Sequence, residues 1–361
     1  MSSTTEVRGY EVAEFPRECR ANTAITQAGK ITTRKNVGSQ AFDKNFTSTT
    51  TAVALNVNSP LELRSQLQDH STMTSTSKTM HAWQKHFGST TAVRAEVPIP
   101  ACPNDGLLIK IHAAGVCHSD VALLNAEKRP DTWPLDKYTL GHEGCGEVVE
   151  VGSSVHGFAT GDMVAILSVA GCGESSCGEC SRGLAQICQR GERYGIGSNG
   201  SYAPYVAIKA RAAAKLPENV SAEHGAVATD ACMTAYHAVV GTGQVRKGET
   251  VVILGVGGLG FNAMQIARSS GARVIIVDKR QEVLDEAVKF DIAEQDVVPV
   301  GEGIVEFVKR KGLVVDTIID FVGVPETFGG AQEAGKLVYA VTQRHDADKK
   351  CEQYVLEVKL S

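Results

Sequence analysis

From about Met80 the chain reads as short apolar runs broken by glycine: Leu107 to His112, Gly146 to Val151, Met163 to Leu167 and Ala203 to Ile208. Many short strands separated by turn formers predict a barrel-like β domain. After Ala231 the rhythm changes. Thr250 to Leu254 reads as a strand, Leu259 to Ser269 as an amphipathic helix and Arg273 to Asp278 as a second strand. That alternation predicts a parallel sheet with crossover helices, and further strands are expected near Asp296 to Val300, Thr317 to Val322 and Lys336 to Val341. No repeat of fixed period or heptad run is present. The stretch Arg344 to Ser361 is charged and does not continue the pattern, so it is read as an irregular tail.

Residues 1–79 differ from both patterns. They hold 23 Ser or Thr, with Thr47 to Thr51 unbroken and only short apolar pieces such as Ala52 to Val57. Such a segment buries too little surface to offset its ordering entropy, and disorder is expected. Arg8, Arg17, Arg20 and Arg34 raise a mitochondrial transit peptide as an alternative, against which Glu6, Glu11, Glu14 and Glu18 argue.

The 361 residues, 43% hydrophobic and 21% charged, suit two moderate domains. A net charge of -5 and a pI near 6.1 give no field that would gather phosphate backbones, so no nucleic acid partner is expected. No window approaches the apolar length of a membrane span. The chain has ten cysteines but no signal-peptide pattern near Met1, which points to a reducing cytoplasm.

Gly255-Val256-Gly257-Gly258-Leu259-Gly260 follows the apolar strand and opens the helix, the context a dinucleotide fingerprint needs. Gly255 permits the tight turn, Gly257 a close approach to pyrophosphate, and Gly260 close helix packing. Asp278 ends the next strand eighteen positions after Gly260, where a carboxylate accepts from the adenosine ribose. This favours NAD over NADP, with Lys279 and Arg280 leaving some tolerance for the latter.

Cys177-x2-Cys180-x7-Cys188, with Cys172 upstream, offers four soft ligands on a short glycine-rich loop. Tetrahedral zinc suits them better than two disulfides or an iron–sulfur cluster. Cys117-His118-Ser119-Asp120 and Gly141-His142-Glu143 each hold metal-ligating types, though neither is decisive alone.

Gly141-His142-Glu143-x2-Gly146-x5-Gly152-x2-Val155 resembles the zinc alcohol dehydrogenase signature of the medium-chain dehydrogenase/reductase family. Cys117 to Asp120, the four cysteines and the Gly255 to Asp278 unit extend the likeness from about Met80 to about Ala334. It implies a GroES-like zinc catalytic domain over 80–232 and a Rossmann coenzyme domain, a doubly wound parallel sheet, over 233–343. It also implies reversible hydride transfer between an alcohol and NAD, with zinc polarising the substrate oxygen. Cys117, His142 and a third ligand would hold the catalytic ion, with Glu143 close enough to coordinate transiently. The third position aligns with Asp230, and Cys232 is the fallback. Ser119 resembles the family's first proton-relay hydroxyl, and Asp120 the carboxylate that orients the ligand histidine. Trp133 is placed near the substrate. The partner would be a small alcohol, aldehyde or ketone, and family members form homo-oligomers.

Three departures shape these expectations. Ala122 stands where many members carry a relay histidine. Four residues separate Cys172 from Cys177 where the family usually has two. The coenzyme domain would also be C-terminally incomplete. A family member that keeps zinc or dinucleotide binding without turnover is therefore the second reading.

Overall fold

The computed structural model describes residues 78–346 and 349–359, with the two short segments 22–25 and 31–34. Those segments, β1 (Asn22–Ile25) and β2 (Ile31–Arg34), pair antiparallel, in contrast to the disorder expected of 1–79. The rest of that expectation lies outside the described residues, apart from Lys78 and Thr79.

The β-rich half holds β3 (Thr79–His86), β4 (Val93–Pro98), β5 (Gly106–Gly115), α1 (His118–Asn125), β6 (Lys137–Thr139), β7 (Glu143–Val151), β8 (Met163–Ile166), β9 (Tyr205–Lys209) and β10 (Ala213–Lys215). Five antiparallel strands run in the order β10-β8-β7-β5-β9, and a second sheet runs β4-β3-β6. Burial alternates along β8 and β9, so one face of each points into a core shared with Ile109, Ile111, Val148 and Tyr138. Trp133, expected near the substrate, is a core residue here. It lies 5.6 Å edge-on from Tyr138 and 6.1 Å from Phe87.

One pairing decides where the chemistry falls. Gly115 at the end of β5 pairs with Glu143 at the start of β7. Cys117 and His142 are therefore brought to the same end of the sheet although 25 residues separate them.

The chain then forms a continuous helical stretch from Ala222 to Thr242: α2 (Ala222–Val227), a π-helical stretch Ala228–Cys232, α3 (Met233–Tyr236) and a second π-helical stretch His237–Thr242. The boundary read between residues 232 and 233 falls inside it. Sequence texture changes there, but the backbone does not break.

The second half contains β11 (Thr250–Leu254), α4 (Gly258–Ser269), β12 (Arg273–Val277), α5 (Gln281–Val288), α6 (Ile304–Lys311), β13 (Val315–Asp320), α7 (Pro325–Ala334), β14 (Gly335–Asp346) and β15 (Lys349–Lys359). The order is β12-β11-β13-β14-β15, with the first four parallel. Val251 and Ile253 pack under α4 and α5, while Val252 and Leu254 pack under α6 and α7. Burial on both faces explains why these strands read as unbroken apolar runs.

Two strand expectations change. Near Asp296 to Val300 only Val297 bridges Ile276, because a 3-10 turn over Glu294–Asp296 and Pro299 leave too few free amides for a ladder. The tail expected to be irregular is extended: β14 runs to Asp346 and β15 pairs with it antiparallel. An edge strand tolerates the charges that masked it in the sequence. Among the described residues no helix is long and apolar enough to cross a membrane.

Candidate active site and metal centres

Cys117 is the N-cap of α1. Its sulfur accepts from the Ser119 amide at 3.3 Å, and its own amide donates to Asp120 Oδ2 at 3.0 Å, which closes a capping box. The sulfur lies 3.0 Å from His142 Nε2, and Asp230 Oδ2 lies 3.5 Å from the same nitrogen. The opposite ring nitrogen, Nδ1, faces Asp120 Oδ1 at 3.3 Å, an ion-pair approach whose angle does not make a hydrogen bond. With Glu143 added, one ligand atom from each of Cys117, His142, Glu143 and Asp230 lies within 4.8 Å of the others.

The electrostatics of this cluster call for a cation. Burial pushes the Cys117 thiol up to about 12 against the pull of His142. Burial, then the neighbouring Asp230, pushes the Glu143 carboxyl up to about 8. Burial opposes protonation of His142, yet Cys117 and Asp120 outweigh it and raise its pKa. Four closely packed donors that cannot all ionise beside one another would be relieved by one divalent ion, which would take up their charge. The donor set of sulfur, imidazole nitrogen and carboxylate oxygen is one that zinc accepts.

Asp230 reaches this cluster from the π-helical stretch, where its Oδ1 accepts from Thr234 Oγ1 at 2.9 Å. Cys232, the fallback ligand, is not brought into the cluster. Its sulfur faces Asn262 Oδ1 of α4 at 3.3 Å. The helix that carries Asp230 thus touches the coenzyme helix two residues on.

The second cluster joins Cys172, Cys177, Cys180 and Cys188. Cys172 Sγ is 3.7 Å from Cys180 Sγ, and Cys177 Sγ is 3.7 Å from Cys188 Sγ. A tetrahedron of sulfurs about 2.3 Å from zinc has edges of about 3.8 Å, whereas a disulfide needs about 2.05 Å. Both gaps match such an edge and are too long for a disulfide. Burial works against ionising Cys188, but the Arg190 and Cys172 amides, each 3.4 Å from its sulfur, bring its pKa down to about 6. The longer loop between Cys172 and Cys177 is taken up by a turn in which the Cys177 amide donates to Glu174 O at 3.0 Å.

At the coenzyme loop, Gly255 has φ +84°. A Cβ on Gly260 would lie 1.9 Å from Gly255 O, so strand and helix pack as closely as backbones allow. Around Gly257 and Gly258 the space is open, on the side where the first amides of α4 point outward. Leu259 lies in the first turn of that helix. Asp278 is less available than its position suggests. It accepts four hydrogen bonds, from the Val256 amide, the Arg280 amide and two guanidinium nitrogens of Arg280, at 2.9 to 3.0 Å. A ribose hydroxyl can join Asp278 only when Arg280 gives up part of that grip.

Two family models match the chain. The alcohol dehydrogenase GroES-like domain covers residues 103–218, and the alanine dehydrogenase/PNT C-terminal domain covers residues 221–342. An alcohol dehydrogenase of Geobacillus stearothermophilus is 35% identical over 220 residues, 60% of this chain and 63% of that protein. An L-threonine 3-dehydrogenase of Aeromonas salmonicida is 33% identical over 236 residues, 64% of this chain and 67% of that one. The chain belongs to the zinc-binding medium-chain dehydrogenase/reductase family.

Among solved structures of this family's fold, acetophenone reductase from Geotrichum candidum, in complex with NAD, matches with a TM-score of 0.61 at 30% identity. The match covers 71% of this chain and 72% of that one. The chain spans about two thirds of the length of such relatives, 63% in the Geobacillus case.

Two residues that touch this cluster carried no role in the sequence expectations. Thr234, four residues after Asp230, carried a legible signal, since residues at that spacing share a helix face. Tyr202, whose buried hydroxyl lies 2.8 Å from Asp120 Oδ2, carried none. Only the fold of the β-rich half brings it there from 82 positions away.

Proposed function

We propose that the chain interconverts a small alcohol with its aldehyde or ketone, using NAD. The single observation that carries this reading is the convergence of Cys117, His142, Glu143 and Asp230 within 4.8 Å, on elements that touch the helix of the dinucleotide loop. Cys117, His142 and Asp230 would hold the catalytic zinc, with Glu143 in reserve, and Cys172, Cys177, Cys180 and Cys188 a structural one. Bound there, zinc acts as a Lewis acid toward the substrate oxygen. NAD supplies the hydride acceptor.

The chain's own groups do the rest. Asp120 faces His142 Nδ1 and so holds the ring with Nε2 toward the cluster. Ser119 Oγ, two residues past Cys117, takes the proton of the substrate hydroxyl. Ala122 offers no imidazole for the next step, so the proton leaves through water or the coenzyme ribose. The outward amides of Gly257, Gly258 and Leu259 receive the pyrophosphate. Asp278 receives the adenosine ribose once Arg280 has turned aside. Among the relatives' names, alcohol dehydrogenase, L-threonine 3-dehydrogenase and acetophenone reductase all support an alcohol or carbonyl partner. The free thiols suit a reducing compartment such as the cytoplasm.

A second reading is zinc and dinucleotide binding without turnover. Zinc content together with NADH formation over a panel of short alcohols separates the two. A rate that depends on zinc supports the first. Two zinc ions and NAD binding with no rate on any alcohol would overturn it in favour of the second.

A further inference from the structure

Tyr202 lies between Gly200 and β9, outside every motif of the site, yet it grips that site at three points. Its hydroxyl is 2.8 Å from Asp120 Oδ2 and 2.9 Å from Gly115 O. A phenol has one proton to donate, and of these two acceptors the buried carboxylate is the stronger. Its ring lies on Gly141, where a Cβ would come within 2.3 Å of Tyr202 Cδ1. Its amide donates to Leu140 O at 2.8 Å, and the Ser201 amide donates to Gly141 O at the same distance.

Asp120 is the hub these contacts hold. Oδ2 also accepts from the Cys117 amide at 3.0 Å, while Oδ1 faces His142 Nδ1 at 3.3 Å. One carboxylate therefore sets the backbone of one ligand residue and the ring of another. With Oδ1 so loosely engaged, rotation of the carboxylate is resisted mainly from the Oδ2 side. The Cys117 amide shares its own helix turn with Asp120 and moves with it. Tyr202 is the contact that ties the carboxylate to a separate segment of the β-rich half.

We propose that the Tyr202 hydroxyl is a positioning group for the catalytic metal, locking Asp120 so that Cys117 Sγ and His142 Nε2 present themselves together. This rests on the reading that Cys117, His142 and Asp230 hold zinc. A residue that merely filled space beside Gly141 would do so equally well as phenylalanine, which makes the hydroxyl testable by itself.

The test is Tyr202→Phe in the full chain, with zinc affinity read by chelator competition and the site's geometry by visible absorption after cobalt substitution. The ion held by the four cysteines serves as an internal control, because Tyr202 has no contact with that cluster. The expected result is a loss of about tenfold to hundredfold in affinity for the catalytic ion only, with an altered cobalt spectrum. Asp120→Asn should weaken the same ion, and the double variant should lose little more than the stronger single one. Should Tyr202→Phe fail to fold, Asp120→Asn reports the same contact from the other side. An unchanged affinity and spectrum in Tyr202→Phe, or fully additive losses in the double variant, would overturn the proposal. A wild-type chain that takes up only the ion of the four cysteines would instead overturn the zinc assignment beneath it.

Discussion

Asp230 and Cys232, two residues apart, are the two candidates for one role. Successive residues on a helix diverge by about 100°, so only one of the pair can face His142. Asp230 lies 3.5 Å from His142 Nε2, while Cys232 is turned to Asn262. Asp230→Ala should reduce bound zinc from two ions to one per chain, whereas Cys232→Ala should keep both, as counted by metal analysis of the purified proteins. The reverse pattern would make Cys232 the ligand. Glu143 gives a second residue-level expectation. Its folded pKa of about 8 lies above the ordinary 4.5. Stability of the metal-free fold should then be complete below about pH 4.5 and decline as pH rises toward 8, because the unfolded chain releases this proton first. Chemical denaturation of chelator-treated protein should show that decline, and Glu143→Gln should flatten it. An unchanged slope would remove Glu143 as its source. At this scale the four cysteines stood out by their spacing, and Cys117, His142 and Asp230 by the family resemblance. Tyr202 was not, since nothing local ties it to Asp120.

Among the elements, the strand, glycine turn and helix from Thr250 to Ser269 were the most legible, because turn chemistry and periodicity agree over consecutive residues. Their tight packing sets a clear expectation. Gly260→Ala would drive a methyl against the backbone oxygen of Gly255, and at least one of the two must shift. The cost is on the order of 1–3 kcal/mol, with NAD affinity falling alongside. Thermal unfolding and NAD titration read both effects, and a variant with wild-type values in each would show that the loop yields freely. Less legible were the elements whose partners decide their form. The expected strand near Val297 shrank to a single bridge, and the charged tail became β15 by pairing with β14. The helical stretch from Ala222 to Thr242 hid its π-helical segments, which leave no periodic mark in the sequence.

Across the whole molecule, the β-rich half brings Cys117 and His142 together by pairing β5 with β7, and the helical connection delivers Asp230 from the side of the Rossmann sheet. The two-part architecture was visible in the change of rhythm near residue 231, while the meeting of the two halves at one cluster was not. The four cysteines form a second, separate cluster of metal-ligating type. Such a site contributes on the order of 10 kcal/mol to folding when zinc fills it. The most direct measurement is anomalous scattering at the zinc absorption edge from crystals of the protein grown with zinc. Two peaks are expected, one among Cys172, Cys177, Cys180 and Cys188, the other bounded by Cys117 Sγ, His142 Nε2 and an oxygen of Asp230. A single peak at the four sulfurs, with nothing between Cys117 and His142, would contradict the proposed chemistry at its root.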